Sequence, residues 1–415
     1  MVSLRSLLFG SLLVSFTLFS GETSAKKDPN RKTKAVPAVP PHAAAVADGV
    51  AEARLIDIYV LIGQGQLHPA LQKAEGLVND IPNFQLAQLV YGDLLAARVR
   101  PLNVLGDVPA PMVASAGPAL QDLREESQKR MKALRERPPK AAIPSQFLAL
   151  SQRSKHAIAV DASRSRLYLF ENSAGGLKLL ADYYISVGKA GTAKASEGDQ
   201  RTPLGVYYIS SNLDPKSLKD FYGSGALPLN YPNVLDTKRG NTGGGIWLHG
   251  TPPKQFSRAP QATDGCVVLA NPDLERIIRT VEVRSTPVVI AQQLQWISPQ
   301  AALADSKPFE DVLMAWRSSK TSGNLQQTLS YYTPDFNSNG KNLEQWTSRL
   351  KTEMAQMVGR TTHIKDLSML RWSDSAETMV VTFGEVAEGT RSGTTKRQYW
   401  IRQDKQWKIF FEGVI

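Results

Sequence analysis

Two stretches decide how the middle of this sequence folds: Ile246-Trp247-Leu248-His249-Gly250-Thr251 and Ala262-Thr263-Asp264-Gly265-Cys266-Val267-Val268-Leu269. Each contains an apolar run typical of a buried strand, with one reactive side chain at the strand end. A thiolate is a strong nucleophile, and a nearby imidazole can remove the thiol proton near neutral pH. We therefore predict that Cys266 and His249 form a nucleophile–base pair. An inert buried cysteine and a structural histidine are the alternatives for either residue taken alone.

The sequence around these stretches predicts a mostly β domain over 150–296. Apolar residues alternate at Ile158 and Val160 and again at Leu167 and Leu169, which indicates two strands joined by a turn at 161–164. Further strands are predicted at 179–187, 205–209, 245–249, 266–269 and 286–290, and helices only at 214–221 and 271–281.

Helical periodicity precedes this domain, over 48–140. Gly63 and Gly65 should end a first helix, Pro82 should end a second, and a charged helix should run over 120–135. The pattern is similar to a tetratricopeptide hairpin but contains barely one and a half repeats. Because such units need about three repeats to be stable, we expect this part to dock on the catalytic domain or to form a homodimer.

The last part, 305–415, combines helices at 309–316, 325–331 and 343–357 with four alternating strands at 365–372, 376–386, 396–403 and 406–412. This order predicts an α+β domain with helices on one face of a curved sheet. It resembles an NTF2-like cone, in which the five tryptophans of the segment would line a non-catalytic pocket.

Composition limits the remaining possibilities. The 415 residues are 42% apolar and 21% charged, which excludes a largely disordered chain, and the single cysteine excludes an internal disulfide. The formal charge of +11 suits several anionic partners. However, 1–25 has the charge and apolar run of a secretory signal peptide, followed by a basic Pro/Ala-rich linker over 26–47. We therefore expect a periplasmic protein that binds no nucleic acid and makes at most loose electrostatic contact with a wall or membrane surface.

The two stretches also resemble the signature of L,D-transpeptidases of the YkuD type. In that family a histidine is followed, after a gap, by Ser/Thr-His-Gly-Cys. Here Thr263-Asp264-Gly265-Cys266 follows His249-Gly250, with the cysteine 17 positions after the histidine. Arg201 to Tyr207 is similar to the family's Thr-Pro-x-Gly strand, and Asn271-Pro272-Asp273 to its Asn-x-Asp.

The resemblance implies a role for each residue of the motif. Cys266 would be the nucleophile, His249 the base and the Gly250 carbonyl the group that orients the imidazole, while the Gly265–Cys266 backbone would hold the oxyanion. No metal or organic cofactor is implied. Thr263, Asp264 and Tyr231 are expected near the substrate, Tyr231 because 230–233 resembles a segment of the family's wall-lytic members.

Two positions depart from the family pattern. Asp264 replaces the usual histidine, and Val268 replaces an arginine that many members have. A carboxylate beside the nucleophile raises the thiol pKa unless it meets a cation. Loss of the arginine removes a partner for a substrate carboxylate, and we expect Arg239, together with Lys238, to replace it.

The domain order resembles the cell-shape L,D-carboxypeptidases of Gram-negative bacteria. The expected activity is therefore acyl transfer on peptidoglycan stem peptides at the L,D bond between diaminopimelate and D-alanine, through a thioester on Cys266. Trimming of tetrapeptide to tripeptide is favoured slightly over transpeptidation, which would form cross-links or attach a protein or D-amino acid. A catalytically silent wall-binding scaffold is the alternative of another class.

Overall fold

The structure of the protein, a computed structural model, describes residues 47–108, 110–357, 362–389 and 393–415. The predicted signal peptide over 1–25 and all but the last residue of the predicted linker lie outside the described residues. Within the described ranges, none of the helices is both long and apolar enough to cross a bilayer. We divide the chain into an N-terminal region (47–142), a central region (143–297) and a C-terminal region (298–415).

The N-terminal region is helical, apart from one short strand. Its first helix ends at Gly63, before Gly65 takes a φ of 73° that suits glycine, and the second ends two residues before Pro82. The elements are β1 (Ala47–Asp48), α1 (Val50–Gly63), α2 (Leu67–Asp80), α3 (Gln85–Ala96) and α4 (Ala110–Arg135).

The central region is mostly β, as predicted. Its strands are β2 (Ile143–Pro144), β3 (Phe147–Ala149), β4 (His156–Asp161), β5 (Arg166–Ser173), β6 (Gly176–Tyr184), β7 (Val187–Gly188), β8 (Gly205–Tyr208), β9 (Ala226–Pro228), β10 (Trp247–His249), β11 (Gln261–Thr263), β12 (Val267–Val268), β13 (Pro287–Ala291) and β14 (Trp296–Ile297). Its helices are α5 (Val234–Lys238) and α6 (Asn271–Thr280). The helix expected at 214–221 is wrong, because two separate 3₁₀ turns, Pro215–Ser217 and Asp220–Tyr222, occupy this segment.

Two sheets organise the central region. The larger has the strand order β1-β6-β5-β4-β13-β8, and the smaller has the order β12-β10-β9. In the smaller sheet β10 runs parallel to β12 and antiparallel to β9. The parallel pair brings the strand that ends at His249 beside the strand that follows Cys266.

The C-terminal region packs helices against an antiparallel sheet. Its elements are α7 (Pro299–Thr321), α8 (Leu325–Leu329), β15 (Asn337–Ser338), β16 (Lys341–Asn342), α9 (Leu343–Met357), β17 (Thr362–Ser373), β18 (Glu377–Ala387), β19 (Thr394–Gln403) and β20 (Gln406–Val414). The sheet order is β20-β19-β18-β17-β3, so a strand from the central region completes it.

The larger sheet of the central region is buried on both faces. Side chains alternate along a strand, and in β4 Ile158 and Val160 contact the core under the smaller sheet. Ala157 and Ala159 point the other way and join a second core with Trp372 and other side chains of the C-terminal sheet. The central and C-terminal regions therefore share one hydrophobic core.

The N-terminal helices dock on the central region, which is one of the two predicted outcomes. Their buried cluster includes Phe256 and Ala270, and the Phe84 and Phe256 rings lie 4.3 Å apart. The homodimer stays a prediction.

Four of the five tryptophans of the C-terminal region are core residues rather than the lining of an open pocket, and the fifth, Trp407, is half-buried against the same core. Trp316, Trp346, Trp372 and Trp400 are each at most 5% exposed and pack inside the two cores of this region.

Candidate active site

Register places Cys266 and His249 on the same side of the smaller sheet. Leu248 pairs with Val267, and both side chains are fully buried in the core. Because neighbouring residues of a strand point to opposite faces, His249 and Cys266 both point away from that core. The register thus places both predicted residues on one face of the smaller sheet, at neighbouring strands.

The hydrogen bond of His249 fixes its tautomer. His249 Nδ1 lies 2.7 Å from the Gly250 carbonyl oxygen, which can only accept, so Nδ1 carries the proton and Nε2 is left as an acceptor. Burial lowers the pKa of His249 to about 4, and the charge of Arg258 adds to this, while the hydrogen bond to Gly250 opposes it. The imidazole is therefore neutral at pH 7 and available as a base.

The Cys266 thiol is half-buried, and burial raises its pKa above the ordinary value. The Trp247 N–H and the charge of Arg258 oppose this effect, and Asp264 adds to it. The sulfur lies 3.3 Å from the Gly245 carbonyl oxygen, to which the thiol donates. Because the thiol and the imidazole are both neutral, the thiol proton must be transferred during attack rather than before it.

The turn before the nucleophile is held by two threonine hydroxyls. Thr263 Oγ1 accepts from the Gly265 N–H at 3.1 Å and donates to the Cys266 carbonyl at 2.7 Å. Thr202 Oγ1 accepts from the Gly188 N–H and donates to the Gly265 carbonyl, each at 2.9 Å. Because the Gly265 N–H is engaged within the turn, the Cys266 N–H is the donor of this pair that remains for an oxyanion.

Gly265 must be glycine on two counts. Its φ is 123°, and a Cβ there would lie 2.7 Å from the Arg201 carbonyl oxygen.

The turn after His249 is organised by Asn271 at the start of α6. Asn271 Oδ1 accepts from the Ser224 N–H at 3.0 Å and from the Thr251 N–H at 3.1 Å, and its Nδ2 donates to the Thr251 carbonyl at 2.8 Å. A Cβ at Gly250 would lie 2.0 Å from Asn271 Oδ1. The Asn-x-Asp segment therefore supports the histidine turn.

The N-terminal region anchors the loop between histidine and cysteine. The Phe256 N–H donates to the Asn83 carbonyl at 3.0 Å, and the Ser257 hydroxyl donates to Glu126 at 2.7 Å. At the following residue, the Tyr184 hydroxyl donates to the Arg258 carbonyl at 2.8 Å. These contacts hold the loop that carries Arg258 at the edge of the site.

Arg258 is the residue that the sequence analysis missed. It is 8% exposed, and its guanidinium carbon lies 4.5 Å from the centre of the Phe221 ring. The same ring lies 5.7 Å from the His249 ring. The only available signal was an arginine inside the segment that separates histidine from cysteine.

The residues that depart from the family pattern have defined contacts. The Asp264 carboxylate is mostly exposed and forms a 2.9 Å ion pair with Lys189, so it meets the cation that the sequence analysis required. Val268 is buried and pairs with His249 across the smaller sheet.

Tyr231 and Arg239 were expected near the substrate, and in the structure both side chains contact other parts of this chain. Tyr231 is a core residue whose hydroxyl donates to the Thr242 carbonyl at 3.1 Å. Arg239 forms a two-pronged ion pair with Asp374 of the C-terminal region, at 2.6 and 2.7 Å. Lys238 likewise pairs with Asp335. The short helix α5 begins at a capping box between Asn233 and Asp236. It ends at Lys238, and Arg239 is the residue that follows.

Family comparisons agree with this geometry. Residues 155–290 match the YkuD family, described as an L,D-transpeptidase catalytic domain. The chain contains a YkuD domain. Residues 309–413 match the Cds6 C-terminal NTF2-like domain. The predicted family and the three-part fold class, with a helical N-terminal segment, a mostly β YkuD domain and an NTF2-like domain, are confirmed.

Solved structures share this arrangement. Bd1075 of Bdellovibrio bacteriovorus is 22% identical over 66% of this chain and 98% of its own, with a TM-score of 0.56. The helical cell shape determining protein Pgp2 of Campylobacter jejuni is 23% identical over 69% of this chain and 100% of its own, with a TM-score of 0.52. At these identities the likeness shows a common fold. No curated protein sequence matches the chain.

Proposed function

We propose that this protein is a periplasmic cysteine acyl-transfer enzyme that cleaves peptidoglycan stem peptides at the L,D bond between diaminopimelate and D-alanine. The observation that supports the proposal is a YkuD domain in which Cys266 and a buried, neutral His249, whose tautomer is set by Gly250, lie on the same side of the smaller sheet.

The residues support two successive acyl transfers. As Cys266 Sγ bonds to the diaminopimelate carbonyl carbon, His249 Nε2 takes the thiol proton and the Cys266 N–H donates to the oxyanion. The C–N bond then breaks, and His249 returns the proton to the leaving amine of D-alanine. In the second transfer a water attacks the thioester and gives its proton to His249. The C–S bond breaks, and the proton returns to the sulfur.

We propose water as the favoured acceptor, which makes the enzyme an L,D-carboxypeptidase. A transpeptidase must hold a second stem beside the thioester and exclude water, which favours a cationic clamp for stem carboxylates. Val268 provides no such cation for the acceptor stem, and the two cations expected in its place, Lys238 and Arg239, form ion pairs with Asp335 and Asp374. Incubation of the purified enzyme with a disaccharide tetrapeptide should release tripeptide alone. Cross-linked dimers, or exchange of added D-amino acid, would instead show transpeptidation.

The variants Cys266→Ala and His249→Ala test the nucleophile and the base, and each should abolish turnover. Loss of either residue removes several kcal/mol of transition-state stabilisation. Cys266→Ser has a side chain of nearly the same shape and is the matched control for folding. Melting temperatures equal to that of the wild type should accompany the loss. Variants that digest tetrapeptide at the wild-type rate would overturn the assignment.

A further inference from the structure

Arg258 is a charged group of the site for which the proposed chemistry has no use. It is 8% exposed, and its Nε is buried without a hydrogen-bond partner. Across the described part of the chain its guanidinium has no ion pair with a carboxylate. Burying a charge without a partner is costly, and such groups are normally paired or held for a ligand. Arg258 is therefore available to pair with an anionic group of a substrate.

The Arg258 guanidinium lies close to the predicted base. The guanidinium lies over the Phe221 ring, which also contacts the His249 ring. Burial lowers the pKa of Arg258, and the charges of an ionised Cys266 and of Asp264 oppose this effect.

Four other cations of the central region form ion pairs with carboxylates of this chain: Lys189 with Asp264, Lys194 with Asp199, Lys238 with Asp335 and Arg239 with Asp374. Arg201 next to the nucleophile turn is exposed, and its guanidinium donates to the Thr192 carbonyl at 3.0 Å. Among the described residues, Arg258 is thus the buried cation of the loop between His249 and Cys266 that has no carboxylate partner.

We propose that Arg258 binds the terminal carboxylate of the D-alanine leaving group and so restricts cleavage to stems that end at this residue. The inference rests on the proposed function. Only the amide nitrogen and one Cα separate this carboxylate from the scissile carbonyl, a span of about 4 Å, so its partner must lie beside the nucleophile. A guanidinium fork matches a carboxylate with two hydrogen bonds. Arg258 makes and breaks no bond; it determines specificity, whichever acceptor takes the acyl group.

The test compares two substrates, a tetrapeptide stem with a free D-alanine carboxylate and the same stem with a C-terminal amide. Wild-type enzyme should prefer the acid in kcat/KM by about 100-fold. Arg258→Gln should lower kcat/KM for the acid and leave kcat/KM for the amide within about threefold of the wild-type value, so that most of the ratio is lost. Arg258→Lys keeps the charge but not the two-pronged geometry. Its ratio of acid to amide kcat/KM should lie between those of the wild type and Arg258→Gln. Arg279→Gln, on an exposed arginine of α6, is the control and should behave as the wild type.

Each outcome has a distinct meaning. Equal losses on both substrates in Arg258→Gln, or an unchanged ratio, would overturn the role of Arg258 while leaving the proposed function standing. A wild-type enzyme that cuts neither substrate would refute the proposed function, and the inference that depends on it would fail as well.

Discussion

Replacing Glu52 should weaken the attachment of the N-terminal region to the YkuD domain. Glu52 lies on α1, is 3% exposed, and accepts from Arg130 at 2.7 Å and from Arg166 of β5 at 2.8 Å. Glu126 and Asp182 complete the buried cluster. Glu52→Gln keeps the shape of the side chain and removes only its charge.

The pKa of Glu52 gives the size of the effect. Burial alone would raise this pKa, but the charges of Arg166 and Arg130 outweigh burial and lower it from 4.5 to about 2. Because a tenfold change in acidity corresponds to ~1.4 kcal/mol, the ionised form contributes about 3 kcal/mol to stability at pH 7. Glutamine resembles the protonated acid, so Glu52→Gln should cost about this amount.

The assay is urea unfolding of both proteins, followed by tryptophan fluorescence and circular dichroism. The difference in free energy of unfolding should be constant above about pH 5 and shrink as the pH falls from 4.5 towards 2, where wild-type Glu52 also loses its charge. Glu75→Gln, at an exposed position of α2, should change stability by less than about 0.5 kcal/mol. A difference below 1 kcal/mol at pH 7, or one that persists unchanged at pH 2, would refute this reasoning.

Three further predictions concern the core and the site. Removal of the chain after Ser306 should give a poorly soluble protein that binds the dye ANS, because it uncovers Tyr168, Phe170 and the rest of the shared core; a well-behaved, dye-negative fragment would contradict this. Thr202→Val should lower stability by about 2 kcal/mol in thermal melts and reduce kcat, because it leaves the buried Gly188 N–H and Gly265 carbonyl without a hydrogen-bond partner. An unchanged melting temperature would argue against the hydrogen bonds described. Iodoacetamide should alkylate Cys266 slowly at pH 7 and ever faster beyond pH 9, because burial raises the thiol pKa, whereas a plateau already reached at pH 7 would indicate a preformed ion pair.

Sequence reasoning succeeded where local pattern determines structure. The alternation of Ile158 and Val160 and the periodicity of α1 follow from burial of one face, and the motif residues around Cys266 lie close together along the chain. The shared core was missed because Ala157 and Ala159, which face the C-terminal sheet, are too small to mark a second buried face.

Charge partners were beyond the reach of sequence. Arg239 precedes His249 by ten positions, but its partner Asp374 is 135 positions away. Arg258 owes its position to contacts of its loop with Asn83, Glu126 and Tyr184, which belong to three separate elements or turns. Proximity along the chain therefore suggested Arg239, whose ion pair with Asp374 the sequence does not reveal.

The docking of the first helices has a consequence for biosynthesis. α1 to α3 lie near the start of the chain, yet their apolar cluster is completed by Phe256 and Ala270. In an exported protein these helices cannot complete their cluster until the residues that carry those two side chains have also crossed the membrane. β3 must wait for a still later part of the chain, because Phe147 pairs with Leu370. A chain that is only partly exported therefore carries an uncovered apolar face and depends on chaperones until its later strands arrive.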